Sequence, residues 1–156
     1  MRIFAIDPGN LESGYAVIDL PTFSVVECGK IENGELLKLV PLLSAAADVF
    51  AVEMIASYGM PVGREVFDTC VWIGRFVQVA ERESVYIYRK DEKLCLCGDL
   101  RAKDTNIRRA LIDRYAKHDL KTGKGTKKAP DVFYGVSKDV WQAIAVGVTA
   151  YEQKKA

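Results

Sequence analysis

Three acidic residues stand in apolar company. Asp7 ends the run Arg2-Ile3-Phe4-Ala5-Ile6, Glu53 follows Val49-Phe50-Ala51-Val52, and Asp139 precedes an apolar run from Val140 to Val148. Burying an unpaired charge is costly, so each carboxylate needs a partner. Singly, each reads equally well as a turn cap or an arginine partner. Together they interrupt apolar runs at the element ends where ligands bind in α/β sheets. Carboxylates brought together repel one another and attract a divalent cation. Two Mg²⁺ ions about 3.5–4 Å apart would activate a water and stabilise the leaving oxygen of a phosphodiester.

The elements that must position these acids follow from periodicity. Residues 2–7, 14–20 and 23–31 read as strands joined by short turns, hence an antiparallel meander. Residues 35–46 carry Leu36, Leu37, Val40 and Leu43 at helical spacing, despite Pro41. Residues 49–54 are a fourth strand, and the strand–helix–strand passage favours a parallel pairing by right-handed crossover. A loop over 58–63, a long helix over 64–82 and a fifth strand over 85–88 follow. Residues 103–118 read as a basic amphipathic helix, 119–130 as a mobile basic loop and 136–152 as the last helix. Strands 1 and 4 as sheet neighbours would bring Asp7 and Glu53 to one end, with Asp139 delivered by the last helix.

These segments carry a family resemblance. Ile6-Asp7-Pro8-Gly9 with Ser13-Gly14-Tyr15-Ala16, then Ala51-Val52-Glu53, Gly98-Asp99-Leu100-Arg101-Ala102-Lys103-Asp104, the Ile107/Leu111 helix and Ala143-Ile144-Ala145-Val146-Gly147-Val148-Thr149 resemble, in order, the RuvC-type Holliday junction resolvases of the ribonuclease-H-like superfamily. The small size and loose motifs look more like the bacteriophage-encoded branch. The resemblance implies an α/β fold with a mixed five-stranded sheet, three antiparallel strands and then parallel ones, flanked by helices. It implies a Mg²⁺-dependent endonuclease, with Mn²⁺ as a substitute, that nicks four-way or otherwise branched DNA as a homodimer in recombination. The family's acids fall on Asp7, Glu53 and Asp139 as metal ligands. Its fourth position falls on Gln142, a neutral side chain where the family has an acid or His; Asp131 is a weaker candidate for that acid.

With 49% apolar and 28% charged residues, the 156-residue chain reads as one globular domain, 1–156, not a disordered one. No apolar run reaches the ~18–20 residues of a membrane span. The opening Met-Arg-Ile-Phe-Ala-Ile-Asp reads as a strand rather than a signal peptide. Four cysteines, far apart in sequence except for Cys95 and Cys97, suit a reduced cytoplasmic setting, a bacterial host's if the chain is phage-encoded. The net charge is only +1, yet residues 89–128 hold 13 Lys+Arg against 6 Asp+Glu. Such a segment is either a solvated surface or a phosphate-tracking patch, with Arg101, Lys103, Arg108, Arg109, Lys124, Lys127 and Lys128 meeting the DNA. Tyr58 either packs its loop or stacks on a base at the strand exchange point. The 64–82 helix is apolar around most of its circumference, so it is sandwiched within the monomer or covered by a symmetry mate.

Other signals fail on chemistry. Cys95-Leu96-Cys97 has the wrong spacing for zinc, His118 has no evident serine partner, and Gly123-Lys124-Gly125-Thr126 lacks the frame of a P-loop. Two further function classes stand beside the nuclease. An actin-like nucleotide-binding protein also opens with a strand and Asp-x-Gly but needs a far longer chain. A non-catalytic or weakly catalytic branched-DNA binder is favoured by Gln142.

Overall fold

The computed structural model describes all 156 residues. Its elements are β1 (Arg2–Asp7), β2 (Glu12–Asp19), β3 (Ser24–Glu32), α1 (Asn33–Ala45), β4 (Val49–Met54), α2 (Arg64–Ala80), β5 (Ser84–Tyr88), α3 (Arg89–Cys97), α4 (Asp104–Tyr115) and α5 (Val140–Lys155). The strands form one sheet in the order β3-β2-β1-β4-β5. The β1–β2 and β2–β3 pairs are antiparallel, while β1–β4 and β4–β5 are parallel. This is the mixed five-stranded sheet the sequence implies.

Side chains alternate across a strand with a period of two. Phe4, Ile6, Phe50 and Val52 therefore pack against α1 and α2 on one face, with Leu36, Val40, Ile73 and Phe76. Ile3, Ala5, Val49, Ala51 and Ile87 lie on the other face, against α5. The next residues on that second face are Asp7 and Glu53. Ile6 stands opposite Val52 in the parallel register, so the two acids follow side by side at the ends of neighbouring strands.

α5 is apolar around most of its circumference because it is buried on most sides, and every residue from Ala143 to Tyr151 is buried. Its N-terminal end approaches the sheet at Gly14. A Cβ there would meet the Asp139 carbonyl oxygen at 2.8 Å, and a backbone atom cannot swing aside as a side chain can.

Several sequence expectations need correction. Residues 89–97, read as part of an undivided basic segment, form α3 and carry Cys95 and Cys97. The last helix starts at Val140 rather than 136, which leaves Asp139 as its N-cap residue. The 119–130 segment, read as mobile, is knit by two carboxylates. Asp131 accepts the backbone N–H groups of Lys117, His118, Asp119 and Val132. Asp119 accepts from Lys121, Thr122 and Gly125. On α2, apolar around most of its circumference, Phe76 is fully buried and Trp72 half-buried, and the outward apolar residues are Phe67 and Val71.

Gly14→Ala is expected to push Asp139 and the start of α5 off the sheet, destabilising the fold by about 1–3 kcal/mol, the usual cost of overpacking. Denaturant unfolding of the variant beside the parent checks this; an unchanged midpoint would mean that α5 does not approach so closely.

Candidate active site at the carboxyl ends of β1 and β4

The turn after β1 is built by its own polar side chains. Gly9 N–H donates to Ser13 Oγ at 3.1 Å, Ser13 Oγ donates to Asn33 Oδ1 at 2.6 Å, and Asn33 Nδ2 donates back to the Gly9 carbonyl at 2.8 Å. Ser13 and Asn33 are buried, so these bonds fix the turn without competition from water. The turn walls an open cleft of about 340 Å³ lined by Asp7, Pro8, Gly9, Asn10, Leu11, Glu12, Gly14, Lys30 and Asp139.

Asp7, which lines the cleft, and Glu53 are half-buried neighbours at the ends of adjacent strands. Burial drives the Asp7 carboxyl up to about 9, and its hydrogen bond to Glu53 and the Glu53 charge add to that. Glu53 is also pushed up, first by burial and then by the charge of Glu92, while the Asp7 proton it accepts pulls it back. Burial and mutual repulsion thus both favour retention of a proton by the pair, as expected of like charges forced together. The Arg89 charge eases both acids.

Asp139 stands at the opposite wall. It makes no side-chain cap on α5; its Oδ2 instead accepts from Lys30 Nζ at 3.1 Å. Its charge still reaches Asp7, so Asp7 and Asp139 share the cleft, with Glu53 beside Asp7 on the neighbouring strand. No three His, Cys, Asp or Glu side chains surround a common point, however. Gln142 lies one turn on and donates its amide to Glu92 Oε2 at 2.9 Å. Asp131 is no substitute acid. Burial opposes its charge, but the N–H groups of His118, Lys117, Asp119 and Val132 outweigh burial and hold its carboxyl far below the usual range.

Sequence reasoning missed Glu92. It is wholly buried, its Oε2 also accepts from Arg89 Nη1 at 2.8 Å, and its Oε1 has no partner. Burial pushes its carboxyl up to about 8, against the opposing charge of Arg89. Its signal was a four-residue spacing to Leu96, the other buried residue of α3, which a helical reading of 89–97 would have placed on one inward stripe.

The basic residues expected to meet DNA divide by what already holds them. Arg101 pairs with Asp99, and Arg109 pairs with Asp113 while donating to the Leu120 and Lys121 carbonyls, so Arg109 also ties α4 to the loop. Lys103, Lys124, Lys127 and Lys128 are in no ion pair and are exposed or half-exposed. Arg108 stacks over Trp141 at 5.3 Å, and its Nε lacks a partner. With Lys121, Thr122 and Lys124 it lines a cavity of about 350 Å³. Tyr58 is exposed, with φ of 51°, beside Arg89, Lys90, Lys93 and Leu100.

No protein-family model and no curated protein sequence matches the chain. Solved structures do. RuvC of Thermus thermophilus superposes with a TM-score of 0.74 at 15% identity, over 99% of this chain and 96% of that one. T. thermophilus RuvC in complex with a Holliday junction substrate gives 0.73 at 16% identity, over the same shares. The fold is therefore a ribonuclease-H-like α/β fold of the RuvC kind.

A carboxyl group raised by folding binds a proton that the unfolded chain releases above about pH 4, so its contribution to stability falls as pH rises from there to its folded value. Asp7 and Glu92, raised to about 9 and about 8, place that window between about pH 4 and 9. In the absence of divalent ions, Tm is expected to fall across pH 5–9, and Asp7→Asn to flatten the fall. Thermal unfolding at several pH values checks this, and equal pH dependence in both proteins would count against the retained proton.

Proposed function

We propose that this protein is a metal-dependent endonuclease that nicks four-way and related branched DNA. The observation that carries this reading is the Asp7–Glu53 pair: two half-buried carboxylates side by side at adjacent strand ends, with Asp7 opening on a cleft. The likeness to RuvC, one structure of which holds a Holliday junction substrate, supports the choice of branched DNA.

The residues fit a divalent cation. Mg²⁺ takes hard oxygen ligands, commonly one or two carboxylates completed by water and substrate phosphate. Asp7 and Glu53 supply two such ligands, and a proton retained by the pair is the charge a cation would replace. Asp139, paired with Lys30 on the same cleft, is the third candidate ligand. When bound, Mg²⁺ supplies Lewis-acid polarisation of the scissile phosphate and a more acidic water. Lys30 then remains as a cation at the cleft wall, free to meet a phosphate oxygen. Arg108, Lys103, Lys124, Lys127 and Lys128 neutralise phosphates along the adjoining surface without regard to sequence, and Tyr58 offers an exposed ring for an unstacked base.

Two nicks in a symmetric junction call for two active sites. A homodimer through the outward face of α2 supplies them, with Phe67 and Val71 exposed there and Met60 in the preceding loop. A phage source and a cytoplasmic setting complete this reading. A binding-only protein is the second reading, favoured by the neutral Gln142.

Asp7→Asn and Glu53→Gln are expected to reduce Mg²⁺-dependent nicking of a synthetic four-way junction by at least about a thousandfold, on the scale of losing several kcal/mol of transition-state stabilisation. Junction affinity should stay within a few-fold. Wild-type nicking by either variant would remove the metal assignment; no nicking by the parent in Mg²⁺ or Mn²⁺ would favour the binding-only reading. Neutralising Lys124, Lys127 and Lys128 should reduce the slope of log K against log salt by about 0.9 for each phosphate no longer neutralised. Phe67→Glu with Val71→Glu should leave a folded monomer in sedimentation, since neither side chain belongs to the core; a persistent dimer would place the interface elsewhere.

A further inference from the structure

A basic pocket opens beside α5, away from the acids. Asp139 and Trp141 are two positions apart, about 200° around the helix. The cleft at Asp7 shares no lining residue with the cavity of about 350 Å³ beside Trp141. Arg108, Lys121 and Lys124 line that cavity with Thr122, Ile112 and Trp141, and no carboxylate does. Cations gathered without an acid repel one another, and an anion among them would relieve the repulsion.

Arg108 stands out among the arginines. Every other one except the exposed Arg75 is held by a carboxylate or a backbone carbonyl. Arg108 lies instead over the Trp141 ring at 5.3 Å, and its buried Nε has no acceptor. Stacking engages the charge of a guanidinium but none of its N–H donors, so the planar fork is held in place and left open. The facing wall is also fixed. Arg109, the next residue of α4, donates to the Leu120 and Lys121 carbonyls, and Asp119 gathers the N–H groups of Lys121, Thr122 and Gly125. A Cβ on Gly123 would meet Phe133 Cδ2 at 2.6 Å and Ile112 Cγ1 at 3.2 Å, so the loop lies flush on the core. Lys121 and Lys124 therefore rise from a preset backbone, which lowers the entropic cost of holding a ligand.

We propose that this pocket is a discrete site for one phosphate group, with two of its oxygens on the Arg108 fork and its remaining charge balanced by Lys121 and Lys124. The site stands whether or not the chain cleaves DNA. It differs from charge neutralisation along a surface because it needs the shape of the guanidinium as well as its charge. A backbone phosphate of DNA and a free phosphate compound offer the same oxygens.

The test titrates the parent and Arg108→Lys with inorganic phosphate and with a synthetic four-way junction at constant ionic strength. The phosphorus NMR linewidth follows the first probe, and the fluorescence anisotropy of labelled DNA follows the second. Arg108→Lys keeps the charge, yet it should weaken binding of at least one probe by about tenfold or more, the scale of a charge-assisted hydrogen bond. Weakening on the junction makes a DNA backbone phosphate the occupant; weakening on inorganic phosphate alone makes it a free phosphate compound. Should Arg108→Lys fail to fold, anomalous scattering from tungstate, a tetrahedral stand-in for phosphate, decides in crystals of the unaltered protein. An ion within hydrogen-bond distance of Arg108 supports the site, and tungstate bound only elsewhere overturns it. A variant that binds both probes as the parent does overturns the proposal, as does a parent that binds neither.

Discussion

Two carboxylates that would each be charged in water are forced into contact at the ends of β1 and β4, and the pair survives only by keeping a proton or taking a cation. The constraint comes from the sheet itself. Parallel pairing puts Ile6 opposite Val52, and the two-residue period sends the next side chains, Asp7 and Glu53, to the same face. An apolar residue at either position would extend the core. An acid there costs stability, a cost that a bound cation would offset.

The surrounding elements can be understood by how they maintain this arrangement. Ser13 and Asn33 rigidify the turn beyond Asp7, so the cleft wall does not close over the acids. Gly14 lets the start of α5 descend until Asp139 overlooks Asp7. Arg89 places one positive charge among the acids and divides its guanidinium between Glu92 and Asp104. The loop from 117 to 131, pinned by Asp119 and Asp131, sets Lys124 around one cavity with Arg108 of α4 and Trp141 of α5.

Much of this was legible in the sequence. Asp7 and Glu53 each follow a run of four apolar residues, Ile3–Ile6 and Val49–Val52, and it is their joint occurrence, not either alone, that carries the signal. The meander and the crossover followed from turn length and period. Other features were hidden for physical reasons. Glu92 lies in Arg89-Lys90-Asp91-Glu92-Lys93, a run whose composition is that of a solvated surface; only tertiary packing of α3 turns one member inward. A helix apolar on several sides, such as α2, does not reveal which side meets the sheet, and Phe76 rather than Phe67 took the inner place. The order of the 119–130 loop rests partly on the local turn of Asp119 and partly on Asp131, which collects backbone N–H groups from 12 to 14 residues earlier, a link no local pattern encodes.

Proton release on metal binding tests the central claim most directly. If Asp7 and Glu53 share a proton that a divalent cation replaces, adding Mn²⁺ to the protein in weakly buffered solution at pH 7 must acidify it, with about one proton or more released for each ion bound. Asp7→Asn should abolish most of that release. Metal binding at the parent's full stoichiometry with no proton released would contradict the account, because the cation would then be held by carboxylates already ionised and not by this pair.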